Sequence, residues 1–404
     1  MPEVKETATG YDISWPDQKV HCKITRVRSH TDGRLTGDVS FTLGRNKQKE
    51  PSFSLNFSSA QTRKQLIKNM SEKYPDWQWL PIIDDLAREL QSLITAGEPV
   101  LEITSDDDVS DLQYLIKPII PLGKPTAIFG SPGAGKSQLL LLLAIAAALP
   151  WHDNDLGFEV PEHPTPILYL DYEADEDDIR RSLKKFAAGM NLGPIPIFYR
   201  RCSLPLADDL ESIREHVNRI GAKAVFIDST SLAAGGDLNR MDVATNYIRA
   251  LRQLKLTSVS LAHTSKDRES KDKSIIGSML FEAGFRSVFE CRGQEDDDSL
   301  NLVLLHRKFN LGKRCLPLGY RITYNSHGCV AQHYDPRNVA EFVVRMSVNT
   351  RVLALLKQGT MTSGEIKEAL DESFPAVSNA LKRLETKHLV LKLDDKKWGL
   401  AVNP

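Results

Sequence analysis

The sequence predicts an α/β protein in three parts: a central domain in which strands alternate with helices, a small β-rich α+β domain before it, and a helix–helix–helix–hairpin module after it. Three observations predict this. Between residues 116 and 330, five short apolar runs are separated by four stretches of helical length, the pattern of a parallel sheet wound with helices. Residues 1–97 alternate polar and apolar side chains around turn residues. Residues 337–404 read as three helices and then strand, turn and strand. A chain of 404 residues with 41% hydrophobic and 26% charged residues is not collagen-like, coiled-coil or wholly disordered, and no period of 20–50 residues marks a solenoid.

In the first part, Lys19 to Leu43 reads as a hairpin about Thr31-Asp32-Gly33, and Pro51–Phe57 as a third strand. Ser58 or Ser59 caps a helix starting near Gln61, and Leu80–Ile94 forms a second helix. From Lys19 to Lys73 there are twelve basic residues against four acidic ones. The net charge of -1 hides this patch, which suits either nucleic acid or an acidic partner such as the following linker. Phe41, Phe53 and Phe57 are expected in the core, and Trp77 and Trp79 at a domain edge. From Asp76 to Asp111 ten acidic residues face Arg88 alone, and residues 98–115 are expected to be an acidic, solvated linker.

The central part, 116–330, has candidate strands at Thr126–Phe129, Pro166–Asp171, Pro196–Arg200, Ala224–Asp228 and Ser258–His263. Helices are expected at Lys136–Ala148, Glu176–Met190, Asp208–Ile220 and Val243–Leu254. Three more strands, Phe285–Cys291, Leu300–Leu305 and Tyr320–Tyr324, follow without helices, which predicts an antiparallel extension with a hairpin tip at Glu295–Asp298. The apolar run Leu139–Leu149 is too short for a membrane span and predicts a helix buried on all sides.

The sharpest motif is Gly130-Ser131-Pro132-Gly133-Ala134-Gly135-Lys136-Ser137, followed by Gln138. It fits G-x-x-x-x-G-K-[ST] between an apolar strand and an apolar helix, the context the motif requires. The glycines let backbone N–H groups wrap phosphates, and the helix N-terminus adds positive potential. Lys136 reaches the outer phosphates and the Ser137 hydroxyl binds Mg²⁺. Residues Gly130 to Gln138 are therefore the nucleotide-binding candidates. Asp228, at the end of an apolar run, is the carboxylate expected beside the Mg²⁺ shell. Hydrolysis also needs a carboxylate for water. Ser229 follows Asp228, so a D-E pair of the AAA+ kind is absent there. Glu173 is the preferred candidate; Asp171 and Asp175 are its rivals, and the whole acidic run also suits a helix N-terminus.

The order of phosphate loop, strand-ending glutamate, Ile227-Asp228 strand and Leu261-Ala262-His263-Thr264-Ser265-Lys266 resembles RecA-like P-loop ATPases, most of all the RepA-type hexameric replicative helicases. The resemblance spans about Ile116 to Asn325, and neither flank belongs to that family's minimal ring. It implies ATP and Mg²⁺ as cofactors, Glu173 as the water-activating carboxylate, and His263 as a sensor of the γ-phosphate. It implies a channel loop at Thr264–Gly277, where Lys266, Arg268, Lys271 and Lys273 would track single-stranded DNA; the loop holds no aromatic for base stacking. It also implies a cation supplied by the neighbouring subunit, worth ~10³–10⁵ in rate. Arg286 matches the finger position, and Lys308 (beside Arg307) the second basic element; both also suit pairing with carboxylates at a sheet edge. The activity implied is that of an ATPase acting as a ring-forming helicase or translocase, a homo-oligomer and by resemblance a hexamer. The alternative is a nucleotide-switched DNA-binding adaptor that oligomerises without unwinding.

The third part reads as a winged helix-turn-helix: helices at Val339–Leu356, Ser363–Ala369 and Ala376–Lys387, a turn at Glu372–Pro375, and a hairpin through Leu389–Leu393 and Lys396–Leu400. On Ala376–Lys387, Val377, Leu381 and Leu384 are expected inward. Ser378, Asn379, Lys382 and Arg383 are expected to face duplex DNA, with Lys396 and Lys397 on the wing. Such modules also serve as protein-contact surfaces. Five cysteines without Cys-x-x-Cys spacing argue against a zinc site or a disulfide framework. With no apolar N-terminal stretch, a cytoplasmic location is expected and no membrane.

Overall fold

The computed structural model describes residues 2–7, 10–29, 33–44, 48–49, 52–96, 100–105, 110–264, 275–277, 279–336, 348–357, 359–393 and 395–401. Lys266, Arg268, Lys271 and Lys273 lie outside the described residues, as do Thr31, Asp32 and the acidic run 106–108.

The N-terminal domain begins with β1 (Glu3–Thr7), β2 (Gly10–Trp15), β3 (Val20–Ser29), β4 (Leu35–Leu43), β5 (Gln48–Lys49) and β6 (Phe53–Asn56). They form an antiparallel sheet in the order β1-β2-β3-β4-β5, with β6 also on β4. Strict alternation in β4 buries every second side chain, so one face of the sheet needs a cover. Helices α1 (Ala60–Lys73) and α2 (Trp79–Ala96) supply it, joining one apolar cluster with the sheet. Ser59 caps α1 by accepting from the Thr62 N–H. Trp79 is not at a domain edge: it is fully buried, edge-on to Phe41 at 5.3 Å. Its position in an acidic stretch misleads because it heads the apolar stripe of α2, with Ile82, Ile83, Leu86 and Leu90, that packs on the sheet.

The central domain opens with a small ribbon of β7 (Tyr114–Ile116) and β8 (Ile120–Pro121). Then follow β9 (Pro125–Gly130), α3 (Lys136–Ala148), β10 (Ile167–Asp171), α4 (Glu176–Gly189), β11 (Phe198–Arg201), α5 (Leu210–Ile220) and β12 (Ala224–Asp228). Next are α6 (Thr230–Ala233), α7 (Met241–Leu254), β13 (Thr257–His263), α8 (Met279–Gly284), β14 (Ser287–Glu295), β15 (Ser299–Phe309), β16 (Leu318–Asn325) and β17 (Gly328–His333). The sheet order is β11-β10-β12-β13-β9-β14-β15-β16-β17. This is mixed α/β with a parallel-rich sheet, consistent with the expected RecA-like P-loop core. The expected antiparallel extension begins one strand late: β14 runs parallel to β9, and only β15 to β17 are antiparallel. The short α8 returns the chain to the N-terminal end of the sheet before β14, doing the work of a crossover helix.

Apart from Ser137 and Gln138, every residue of α3 is buried. The sheet curls round it, and α4 from one side meets β17 from the other. A Cβ on Gly189 would stand 2.3 Å from the Cys329 carbonyl oxygen, and one on Gly328 2.3 Å from that of Lys185. Two backbones touch there because neither residue has a side chain. No helix among the described residues is long and apolar enough to cross a membrane.

The C-terminal module has α9 (Val348–Leu356), β18 (Met361–Thr362), α10 (Ser363–Leu370), α11 (Phe374–Thr386), β19 (Val390–Lys392) and β20 (Lys397–Leu400). Its sheet runs β18-β20-β19. The expected turn Glu372–Pro375 is shorter: Ser373 caps α11, and Pro375 sits in its first turn, where a missing N–H costs no hydrogen bond.

The N-terminal sheet rests on the start of α5. Arg28 pairs with Asp208 at 3.3 Å, and Arg26 with Glu211 at 3.8 Å. Part of the basic patch is therefore engaged by acids of the central domain rather than by the linker. Burial pushes the Glu211 carboxyl from 4.5 up to about 7, with Asp38 adding to the rise and Arg26, Arg214 and Arg28 opposing it. A raised carboxyl means the folded state holds a proton that the unfolded chain has released. The Glu211 contribution is thus greatest below about pH 4.5 and declines as pH rises to about 7. Thermal melts of Glu211→Gln should show a flatter pH dependence than wild type across that window; an unchanged slope would contradict this account of the interface.

Candidate active site

The phosphate loop joins β9 to α3, with Gly133 and Gly135 at φ of 75° and 73°. Strands β14 and β15 back it closely. A Cβ on Gly135 would lie 2.5 Å from Leu300 Cδ2, and one on Gly293 2.6 Å from the Ala134 carbonyl oxygen. The Cys291 thiol donates to that same carbonyl at 3.5 Å. Lys136 Nζ donates to the Ser131 carbonyl at 2.8 Å, and burial lowers its pKa.

Asp171 and Asp228 are neighbours at the C-terminal ends of β10 and β12. Asp228 is buried, with a cis peptide bond to Ser229. Its carboxyl is pushed up to about 6 by burial, opposed by hydrogen bonds from Ser137 and Tyr169 and assisted by the charge of Glu173. The Tyr169 hydroxyl donates to Asp228 Oδ2 at 3.1 Å. A buried carboxylate short of counter-charge, bonded to the phosphate-loop serine, fits a magnesium ion bound with a nucleoside triphosphate. Among the described residues, no cluster of three His, Cys, Asp or Glu forms a separate metal site.

The three acidic candidates after β10 take different positions. Asp171 is fully buried: Oδ1 accepts from the N–H groups of Glu173 and Ala174, and Oδ2 from the Tyr199 hydroxyl at 3.2 Å. Asp175 caps α4 by accepting from Asp178 N–H. Both are occupied in shaping the turn. Glu173 is left half-exposed, with Oε1 accepting from Ser229 Oγ and lying 3.7 Å from His263 Nε2. Its Oε2 has no hydrogen-bond partner among the described residues. His263 ends β13 beside Gly130 of the phosphate loop, and its Nδ1 is buried without a hydrogen-bond partner among the described residues.

Arg286 and Lys308 sit elsewhere. The Arg286 N–H donates to the Pro125 carbonyl, at the far end of β9 from the phosphate loop. Its side chain is exposed, with no carboxylate in ion-pair range among the described residues. Lys308 Nζ donates to the Glu282 carbonyl at 2.8 Å. Neither reaches the phosphate loop of its own chain. Arg307 instead binds the buried Glu290 at 2.7 Å, together with Arg292 at 2.6 Å.

Sequence reasoning missed Ser229, Tyr169 and Tyr324. Ser229 is adjacent to Asp228, and that adjacency was its only signal. Tyr324 Oη donates to Gln138 Oε1 at 2.5 Å across 186 residues, so no local pattern announces it. Tyr324 presents an exposed ring beside the helix that follows the phosphate loop.

A family model described as AAA domain matches residues 95–269, less than half of the chain. No curated protein matches the sequence. Among solved structures, a KaiC-like protein from the hyperthermophilic archaeon Pyrococcus horikoshii is similar at 19% identity, covering 55% of this chain and 94% of its own, with a TM-score of 0.38.

Replacing Glu173 with Gln keeps its volume and removes its charge. Nucleotide affinity should stay within a few fold while turnover falls ~10²–10⁴-fold, the usual range for a lost acid–base group. Equilibrium binding beside steady-state phosphate release checks this; hydrolysis within threefold of wild type would move the role to another residue.

Proposed function

We propose that this RecA-like P-loop ATPase hydrolyses ATP with Mg²⁺ and works on DNA as a ring-forming homo-oligomer, a helicase or translocase of replication, recombination or repair. The observation that carries this is the position of Glu173, held at Oε1 by Ser229 and close to His263, the residue from which the 264–277 segment departs. ATP chemistry and the DNA-facing loop then share one side chain.

Backbone N–H groups of the loop from Gly133 to Ser137 hold the phosphates, and Lys136 leaves the Ser131 carbonyl for the outer ones. Ser137 and Asp228 would hold the Mg²⁺, which neutralises charge on the β- and γ-phosphate oxygens. Glu173 orients a water for attack on the γ-phosphorus, and its free Oε2 accepts the water's proton. His263 Nε2 responds to whether the γ-phosphate is present. Lys266, Arg268, Lys271 and Lys273 then grip or release phosphates of a single strand.

Two features support self-association. Arg286 is exposed, unpaired among the described residues and remote from its own phosphate loop, so it can complete only a neighbour's site. Val100, Leu101 and Ile103 are 99%, 74% and 83% exposed, an apolar run that a partner subunit would cover. A hexamer is the ring implied by the resemblance. The C-terminal module supports duplex contact as a winged helix: Asn379, Lys382 and Arg383 are exposed on α11 and Ser378 half-exposed, while Val377, Leu381 and Leu384 are buried. Lys396 and Lys397 stand at the hairpin turn. Free thiols throughout suit a reducing, cytoplasmic setting.

ATP hydrolysis measured with and without single-stranded DNA tests the proposal. Stimulation by single strands is expected, together with strand displacement from a tailed duplex. ATP-promoted duplex binding without stimulation would instead favour the adaptor reading, for which the lack of any aromatic in 264–277 already argues.

A further inference from the structure

Between the N-terminal domain and the central domain lies a cavity of about 680 Å³, walled by β3 on one side and by α5 and α7 on the other. Arg26 and Arg28 enter it from β3, Arg214 from α5 and Arg249 from α7. The first two are paired, with Glu211 and Asp208. The other two differ. Arg214 donates to the Gln253 carbonyl, and among the described residues neither it nor Arg249 has a carboxylate within ion-pair distance. Burial lowers the Arg214 pKa, and the charges of Glu211 and Glu6 oppose that fall.

We infer that this cavity is a second ligand site, separate from the phosphate loop, that takes a nucleoside di- or triphosphate and clamps the two domains together. Two arginine forks on neighbouring helices match the planar, bidentate recognition of phosphate oxygens. The volume lies within the range of small-molecule sites, which favour domain interfaces. The half-buried Tyr11 and the amide of Asn246 line the same space and suit a base. Glu6, Asp208 and Glu211 line it too. They can accept from ribose hydroxyls but would repel the successive phosphates of a nucleic-acid strand. The ligand is therefore compact rather than a polymer. A phosphate between Arg214 and Arg249, with Arg26 and Arg28 opposite, ties the docking of the N-terminal domain to nucleotide level. This is independent of whether the protein acts on DNA.

The test counts sites on the full chain by calorimetric titration with ATP, ADP and pyrophosphate. Wild type is expected to bind two nucleotides per chain. Lys136→Ala should leave one, and Arg214→Ala with Arg249→Ala should also leave one, with affinity at the lost site reduced at least ~10-fold, as removal of charge-assisted bonds implies. Arg249→Glu, on an exposed side chain, should repeat that loss without risk to the fold. One nucleotide per chain in wild type would overturn the proposal. So would a second site that survives loss of both arginines, or a site in Lys136→Ala that takes oligonucleotides in preference to all three probes.

Discussion

The enclosure of α3 is the constraint on which the rest of this structure depends. A phosphate loop works only if its backbone N–H groups stay pointed at one place, and that direction is set by the helix that follows. Here the helix carries leucine, isoleucine and alanine on every side from Leu139 to Ala148. It cannot face water anywhere along that length. Nine strands curl about it, and α4 meets β17 where Gly189 and Gly328 allow backbone contact. The loop itself is pressed from behind by Cys291, Gly293 and Leu300. Helix, loop and sheet therefore hold one geometry, and substitution at any of these glycines would be felt at the phosphates.

Electrostatics then divides the site. Buried Asp228 has a raised carboxyl and a hydroxyl on each side, so a cation bound there would relieve the cost of its ionisation. Glu173 sits farther out, half in water, with its position set by Ser229 and the turn that Asp171 organises. One carboxylate is buried and the other reaches water. Among the described residues, the further basic candidates are engaged elsewhere: the Arg286 N–H binds at the opposite end of β9, and Arg292 and Arg307 are bound to Glu290.

Much of this was legible in the sequence. Periodicity located the strands β9 to β13 and the four longer helices between them within a few residues, because buried parallel strands are continuous apolar runs; the short α6 (Thr230–Ala233) was not expected. The phosphate loop was legible because its spacing is local. The parallel run of β14 was not, since a six-residue helix gives little periodic signal. Trp79 was misplaced because nearby charge outweighed its position on the apolar stripe of α2. Asp171, Asp175 and Glu173 could not be separated by spacing; hydrogen bonds to backbone N–H groups separate them. Tyr324 and the cleft at Arg214 and Arg249 depend on residues brought together from distant parts of the chain, which no window along the sequence contains.

The central claim is that Glu173 and His263 join the γ-phosphate to the segment after β13. The most direct measurement compares DNA-stimulated and basal hydrolysis in His263→Ala. The account predicts basal turnover within about tenfold of wild type, since the general base that typically supplies ~10²–10⁴ is intact, and complete loss of stimulation by single-stranded DNA. Stimulation at the wild-type ratio in that variant would show that the phosphate is sensed elsewhere and would contradict the account.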